Sequence, residues 1–201
     1  MVRLYTINPD SFASIEQESQ AYCLGFLLAD GWVMTGNRGI SLAVHDRDVS
    51  VLDYIQKTCG SNAPRYIKTR KTGFKGDTLT MIHLCSKKMT RDLASLGLIP
   101  NKSASTFLPE LKPDLMRHLL RGLFDGDGSI GQRQFWLSGS HTILSDVIRV
   151  SRHTGATFSI SICNSWPRLA GSRKDANFLH WLYMDCGFAL PRKLATYRTS
   201  W

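Results

Sequence analysis

Two aspartates, Asp30 and Asp127, are of the right type and context to hold a divalent metal ion for phosphodiester hydrolysis. They lie 97 residues apart, and each follows a small residue and precedes a glycine at the predicted end of an apolar helix. A helix C-terminus carries roughly half a negative charge, so a carboxylate there is unfavourable unless a cation lies nearby. Hard divalent ions prefer oxygen ligands, and such ions activate water in phosphodiester cleavage. The sequence therefore predicts a metal site at Asp30 and Asp127, with backbone atoms near Ala29 and Gly126.

Small residues recur at a helical spacing before each aspartate. Gly25 and Ala29 are four positions apart and lie on one helix face, as do Gly122 and Gly126. Glycine inside a helix costs about 1 kcal/mol relative to alanine, so its presence needs a reason. Because small residues let two helices approach closely, we predict that the two apolar helices pack in parallel through these faces.

The same order of predicted elements follows each aspartate. The capping signals predict that the first helix begins after Ser14, with Gln17 completing a capping box, and that the second begins at Pro113. Periodicity predicts strands at 31–35, 39–44, 65–72 and 79–84 and helices at 46–58 and 88–96. The second half repeats this with strands at 129–130, 134–137, 156–162 and 178–183 and a helix at 140–153. The chain is thus predicted to be an α+β protein of two αββαββα halves, residues 1–101 and 113–201, joined by a linker at 102–112.

The chain is strongly basic. Its 25 Lys and Arg residues exceed its 16 acidic residues, for a formal net charge of +9, which favours a polyanionic partner. A basic surface without a partner is the alternative. The basic residues cluster in the predicted hairpins of both halves, where we expect contacts to DNA phosphates and bases, although a charged edge also protects a sheet from aggregation. They are Arg38, Arg65, Lys68, Arg70, Lys71 and Lys75 in the first half, and Arg133, Arg168, Arg173 and Lys174 in the second.

The cysteines and the hydropathy exclude several other classes of protein. Five cysteines at wide spacings, without a CxxC pair, indicate neither a zinc cluster nor a disulfide framework. The N-terminus carries no apolar signal segment, and no apolar run is long enough to cross a bilayer. We therefore expect reduced thiols and a soluble, intracellular protein.

The segments Cys23–Gly31 and Leu120–Gly128 resemble the two signature motifs of the single-chain LAGLIDADG homing endonucleases. The resemblance implies two pseudo-symmetric repeats, each with a four-stranded antiparallel sheet that lies in the DNA major groove, docked through parallel motif helices. It also implies a monomer that cuts both strands of a long, asymmetric DNA site and leaves 3′ overhangs. Mg²⁺ would be the cofactor, with Mn²⁺ or Ca²⁺ able to replace it for binding. Such a protein is encoded within an intron or in a phage genome.

The resemblance also implies roles for individual residues. The last acid of each motif, Asp30 or Asp127, would bind metal. Members of the family place basic or polar groups around the metals, and by position Lys102, Lys193 and His45 are the candidates for catalytic roles here. For the two lysines the alternative is a solvated loop position, and for His45 it is a structural role or a phosphate contact. The first motif carries Leu28 where the second keeps Asp125, a position that is not the metal ligand in the family.

Two other functions compete with the endonuclease. A protein of the same fold can bind nucleic acid without cutting it, as an RNA maturase or a transcription regulator. A structural protein with a degenerate double fold is the third possibility. Loss of a metal-binding acid would favour a protein that does not cut, and both acids are present.

Overall fold

The computed structural model describes residues 5–69, 78–100 and 107–201. The first half comprises α1 (Glu18–Asp30), β1 (Trp32–Val33), β2 (Ile40–His45), α2 (Ser50–Thr58), β3 (Arg65–Thr69), β4 (Thr78–Leu84) and α3 (Lys87–Ser95). The second half comprises α4 (Pro113–Asp127), β5 (Gly128–Ile130), β6 (Gln134–Ser138), α5 (His141–Ser151), β7 (Ser159–Cys163), β8 (Trp166–Ser172), α6 (Ala176–Tyr183) and α7 (Pro191–Ser200).

Each half contains one antiparallel sheet of four strands, and the two sheets have the same strand order. The orders are β1-β2-β4-β3 and β5-β6-β8-β7. The registers match as well, since Trp32 pairs with Ser41 in one sheet and Ser129 pairs with Trp136 in the other. The predicted α+β fold of two similar αββαββα repeats is confirmed.

The two motif helices pack in parallel with almost no space between their backbones. A Cβ atom added to Gly25 would lie 1.9 Å from the carbonyl oxygen of Leu119, and one added to Gly122 would lie 2.0 Å from that of Tyr22. Further along, a Cβ atom on Gly126 would lie 2.3 Å from the Cβ of Ala29. The small residues therefore bring the backbones of α1 and α4 into contact. We call this contact between the two motif helices the seam, and apolar side chains of both helices are buried around it.

The first motif helix begins later than predicted. Gln17, rather than Ser14, is its N-cap, and Gln20 completes the capping box. The Gln20 side-chain oxygen accepts from the backbone N–H groups of Glu16 and Gln17, which fixes the chain just before the first turn. The predicted start at Pro113 is correct for α4.

The end of the second half differs more from the prediction. The strand predicted at 178–183 is wrong, because these residues lie in α6, whose buried side chains Phe178, Leu179, Leu182 and Tyr183 have helical spacing. The fourth strand is β8. Its sequence signal is weak because it contains Pro167 and Gly171, and both residue types are disfavoured in sheets. The chain then forms α7, which the sequence pattern does not predict.

A charged side chain is buried beside the contact between α1 and α4. Arg121 of α4 is fully buried, and its Nη2 donates to Oε1 of Glu18 in α1 at 2.6 Å. Its other donors reach the carbonyl oxygens of Phe188 at 2.9 Å and Leu182 at 3.1 Å. A buried charge is tolerated only when it is paired and hydrogen-bonded, and both conditions are met here.

His118 is held in its neutral form beside this pair. Its Nδ1 accepts from Nη1 of Arg121 at 2.8 Å, because a guanidinium can only donate. Burial, and then the Arg121 charge, lower the pKa of His118 to about 4 from its ordinary value of 6.5. The folded state therefore binds this proton less readily than the unfolded state. The unfolding free energy keeps the full contribution of neutral His118 above pH 6.5 and loses it as the pH falls from 6.5 through 4.

We expect His118→Gln to make the protein more resistant to acid. Between pH 7 and pH 4 the variant should lose about 3 kcal/mol less unfolding free energy than the unsubstituted protein, since the penalty for protonating residue 118 is removed. Urea unfolding at both pH values measures this difference. His153→Gln, at an exposed position, is the matched control. If the unfolding free energy fell equally in all three proteins, His118 would not be the group whose lowered pKa reduces stability in acid.

None of the helices within the described ranges is long and apolar enough to cross a membrane.

Candidate active site

Asp30 and Asp127 are the last residues of α1 and α4, and both side chains are exposed. Because the helices are parallel, their C-terminal ends lie at the same side of the molecule. The Oδ2 atom of Asp30 lies 3.3 Å from the point where a Cβ of Gly126 would be, so this carboxylate reaches the motif of the other repeat. The predicted juxtaposition of the two motif ends is therefore present.

The donor set at these helix ends suits a hard cation. Two exposed carboxylates meet two negative helix termini, which a divalent ion would neutralise. Within the described ranges, no group of three or more His, Cys, Asp or Glu side chains is placed to hold a metal ion. Further oxygen ligands would therefore come from the backbone, from water or from a bound phosphodiester.

The third motif acid, Asp125, is buried, unlike the two exposed aspartates. It accepts hydrogen bonds from the hydroxyls of Tyr22 at 2.7 Å and Tyr183 at 2.6 Å, and from the backbone N–H of Leu190 at 2.8 Å. Burial raises the pKa of Asp125. The residue thus serves as an acceptor inside the protein, and Leu28, which is also buried, fills the matching position of the first motif with an apolar side chain.

Lys193 lies beneath the end of α4 rather than on the surface. Its Nζ donates to the carbonyl oxygens of Phe124, Asp125 and Gly128, each at 2.6 Å. The last carbonyls of a helix lack partners from a following helical turn, so the ammonium supplies them with a charged donor, and the Phe124 carbonyl also accepts from the backbone N–H of Gly128. Burial lowers the pKa of Lys193 to about 8. All three N–H donors face these carbonyls, in the turn that carries Asp127.

We expect Lys193→Met to lower the unfolding free energy by about 3 kcal/mol, because buried carbonyls lose a charged donor. Thermal or urea unfolding measures the effect, and Lys174→Met, at an exposed position, should change it little. A variant of unchanged stability that had lost its activity would instead indicate that Lys193 contacts substrate.

A cleft of about 540 Å³ opens beside Asp30. Its walls come from the first sheet and from the start of α7, and they include His45, Lys68, Trp32, Met81 and Arg192. The structure thus brings the predicted His45 and Lys68 to the same cavity as Asp30. The Nδ1 atom of His45 accepts from the backbone N–H of Arg47 at 3.2 Å, which holds the ring at the end of β2. Lys102 lies outside the described residues.

An ion pair across the two repeats forms one wall of this cleft. Nε and Nη2 of Arg192, in α7, donate to the carboxylate of Asp48, in the turn after β2, at 2.8 and 2.9 Å. Sequence analysis did not find this pair. Nothing local connects two residues that are 144 positions apart.

Strand pairing shows which side chains occupy the face of each sheet opposite the helices, here called the open face. In the first sheet these are Trp32, Ser41, Ala43, His45, Tyr66, Lys68, Leu79, Met81 and His83. In the second they are Ser129, Gln134, Trp136, Ser138, Ser159, Ser161, Cys163, Trp166, Arg168, Ala170 and Ser172. The first open face borders the cleft beside Asp30, as Lys68 and His45 belong to both.

The residues predicted to contact DNA are divided among several places. Lys68 and Arg168 lie on the open faces, and Arg38 and Arg133 are exposed on the turns that join the first two strands of each sheet. Arg65 projects from the opposite face of the first sheet, where it pairs with Asp53 and Gln56 of α2. Arg70, Lys71 and Lys75 lie outside the described residues.

The prediction that places Arg173 and Lys174 at the counterpart of the basic hairpin is wrong. They lie in the short turn Arg173–Asp175, because β8 extends to Ser172 and places them at its far end. The turn between β7 and β8 is formed by Asn164 and Ser165, both with positive φ. The Arg173 guanidinium instead lies over the Trp201 ring, 5.0 Å from its centroid.

Solved structures with similar folds confirm the architecture. The homing endonuclease I-WcaI, solved bound to its DNA recognition sequence, is 15% identical, with a TM-score of 0.64 over 92% of this chain and 87% of that one. I-DmoI, solved with DNA and Ca, is 14% identical, with a TM-score of 0.58 over 96% and 99%. Full-length DUF199/WhiA from Thermatoga maritima is 16% identical, with a TM-score of 0.58 over 95% of this chain and 63% of that one.

These likenesses define the class of fold. The chain has the two-repeat LAGLIDADG fold, as its two motifs led us to expect. No family model and no curated protein matches the sequence itself.

Proposed function

We propose that the protein is a site-specific double-strand DNA endonuclease that hydrolyses phosphodiester bonds with divalent metal. The observation that carries this proposal is the pair of exposed carboxylates, Asp30 and Asp127, at the joined C-terminal ends of two parallel helices. The negative C-terminal end of a helix repels a carboxylate. Placing Asp30 and Asp127 at two adjoining helix ends is therefore unfavourable unless the site binds cations. Sites that break a local rule in this way are commonly functional.

The residues around the acids have separate roles in the proposed reaction. Asp30 and Asp127 would hold the metal, with backbone oxygens near Ala29 and Gly126, and the bound metal would lower the pKa of a water and stabilise the departing oxygen. His45 and Lys68 face the same cleft and would orient water and neutralise a phosphate. Lys193 would position the end of α4 through its three carbonyl contacts, and Lys102 would stabilise the pentavalent phosphate.

The substrate would be double-stranded DNA that lies along both open faces. The first open face carries Lys68 and the second carries Arg168 together with polar side chains, which suits phosphate contacts and base readout. Because the two faces differ in nearly every residue, the target would be asymmetric as well as long. The protein would act inside the cell as a monomer of two repeats, residues 1–101 and 113–201, would leave 3′ overhangs and would use Mg²⁺. The I-DmoI structures contain Ca or Mn, which accords with divalent metal.

The competing candidate is a protein of this fold that binds nucleic acid without cutting it. The open faces would suit either function. The exposed pair of motif acids favours the endonuclease, since a binding protein gains nothing from two carboxylates facing a polyanion.

Cleavage of a randomised duplex library in Mg²⁺, with sequencing of the cut ends, tests the proposal. We expect defined sites with 3′ overhangs, and no products in EDTA. Salt-sensitive binding without cleavage would establish the competing candidate instead. If the protein neither bound nor cut DNA, both the endonuclease and the non-cutting binding protein would be contradicted.

A further inference from the structure

Arg168 occupies the middle of the second open face. It lies in β8, opposite Ser138 of β6 and Ser161 of β7. The neighbouring Leu169 is buried beneath the sheet, so the alternation of the strand directs Arg168 away from the core. Its position is therefore one from which a side chain would face a bound duplex.

The guanidinium of Arg168 lies over the ring of Trp136. Its central carbon lies 4.3 Å from the centroid of the Trp136 ring, and Nη1 lies 3.3 Å from the sulfur of Cys163. The cation–π contact and the contact with Cys163 restrict the guanidinium more than water would restrict the chain of an exposed lysine. The side chain is thus preorganised before any ligand arrives.

Among the described residues, Arg168 forms no ion pair, which separates it from the arginines that stabilise the fold. Arg65, Arg121, Arg149 and Arg192 each pair with a carboxylate. The buried Nε of Arg168 has no hydrogen-bond partner, and the second open face carries no acidic side chain among its described residues. A guanidinium fixed on an uncompensated face fits an external acceptor.

We propose that Arg168 reads one guanine through the major groove in the half of the target that lies on the second repeat. Guanine offers two acceptors, O6 and N7, at the spacing of an arginine fork, and no other base offers this pair. Phosphate would accept the same donors, but a phosphate does not require a guanidinium of fixed orientation. The proposal rests on the proposed function, because it takes DNA as the ligand.

The matching position of the first repeat cannot make this contact. The registers align Arg168 with Met81, which lies opposite Ala43 of β2 and Tyr66 of β3. A thioether donates no hydrogen bond. The guanine requirement therefore applies to one half of the target, and it would set the direction in which the protein lies on the duplex.

Selection of bound duplexes from a random library in EDTA, where metal-dependent cutting is prevented, tests this inference. The unsubstituted protein should enrich one guanine position in one half of the site. Arg168→Lys keeps the charge but loses the fork, and it should reduce the preference for guanine there by at least about tenfold. Preferences at other positions should persist. Trp136→Leu should weaken the same preference by releasing the guanidinium.

Arg149→Lys, at an exposed position of α5 away from both open faces, is the matched control and should leave the base profile unchanged. Thermal unfolding of each variant checks that it is folded. A base profile that is identical in Arg168→Lys and in the unsubstituted protein would overturn the inference while leaving the endonuclease intact. Failure of the unsubstituted protein to enrich any sequence would overturn the inference and the proposal that the protein is a site-specific enzyme.

Discussion

Asp30→Asn and Asp127→Asn, made separately, should each reduce double-strand cleavage by at least about a thousandfold. Losing a metal ligand removes several kcal/mol of transition-state stabilisation, and about 1.4 kcal/mol corresponds to a factor of ten in rate. DNA affinity should be kept or should rise, because each change removes a negative charge that faces the phosphates. The amide is nearly the same size as the carboxylate, so packing at the helix ends should not change.

Cleavage of a single labelled target and equilibrium binding to the same duplex measure these two quantities. Asp114→Asn is the matched control, since it removes one charge from the exposed opposite end of α4. Its cleavage rate should stay close to that of the unsubstituted protein. Cleavage at the normal rate by either motif variant would remove that aspartate from the metal site.

Gly122→Ala should destabilise the protein by about 3 kcal/mol, although helix propensity alone predicts a gain of about 1 kcal/mol. The added methyl would lie 2.0 Å from the Tyr22 carbonyl oxygen, which belongs to the backbone of the facing helix. Relief requires the two helices to separate, and separation would also disturb the helix ends where Asp30 and Asp127 lie. The sign of the change therefore tests the close approach directly.

Urea unfolding of the variant gives the sign and size of this effect. Gly131→Ala is the control, because its added methyl would meet one carbonyl oxygen, of Gln134, at 3.2 Å. That variant should differ by less than about 1 kcal/mol. A stabilised Gly122→Ala protein would mean that the seam is looser than the structure indicates.

Local patterns account for the elements that the sequence predicts correctly. The motif helices and seven of the strands follow from apolar periodicity and from glycine positions, since each signal lies within a dozen residues. The small residues on the helix faces that contain Gly25 and Gly122 predict close contact between the two helices. Glycine inside a helix is unfavourable, and close approach of another backbone is a reason for its presence. Repetition strengthens each inference, as an ambiguous segment in one half has a clearer counterpart in the other.

Tertiary effects determine the elements that could not be predicted. Phe178 to Tyr183 fits a short strand as well as a helix in periodicity, and packing against α4 and α7 decides the outcome. Basic composition places Arg65 near DNA, but the face on which it lies depends on strand register, which pairs it opposite the buried Ile82. Lys193 has the sequence context of an exposed tail lysine, and only the packing of α7 brings it under the end of α4.

The ion pair between buried Arg121 and partly exposed Glu18 also bears on which halves can join. With the motif aspartates aligned, Arg121 corresponds to Leu24 and Glu18 to Leu115, and both leucines are buried. Two copies of the second half would bury two guanidinium groups with no carboxylate between them, and two copies of the first would leave each Glu18 facing leucine. An unpaired buried charge costs several kcal/mol, so the second half is poorly suited to self-association, and the first half would lose the ion pair of its Glu18. The two halves are therefore complementary rather than interchangeable, because the Arg121–Glu18 ion pair forms only when one copy of each half is present.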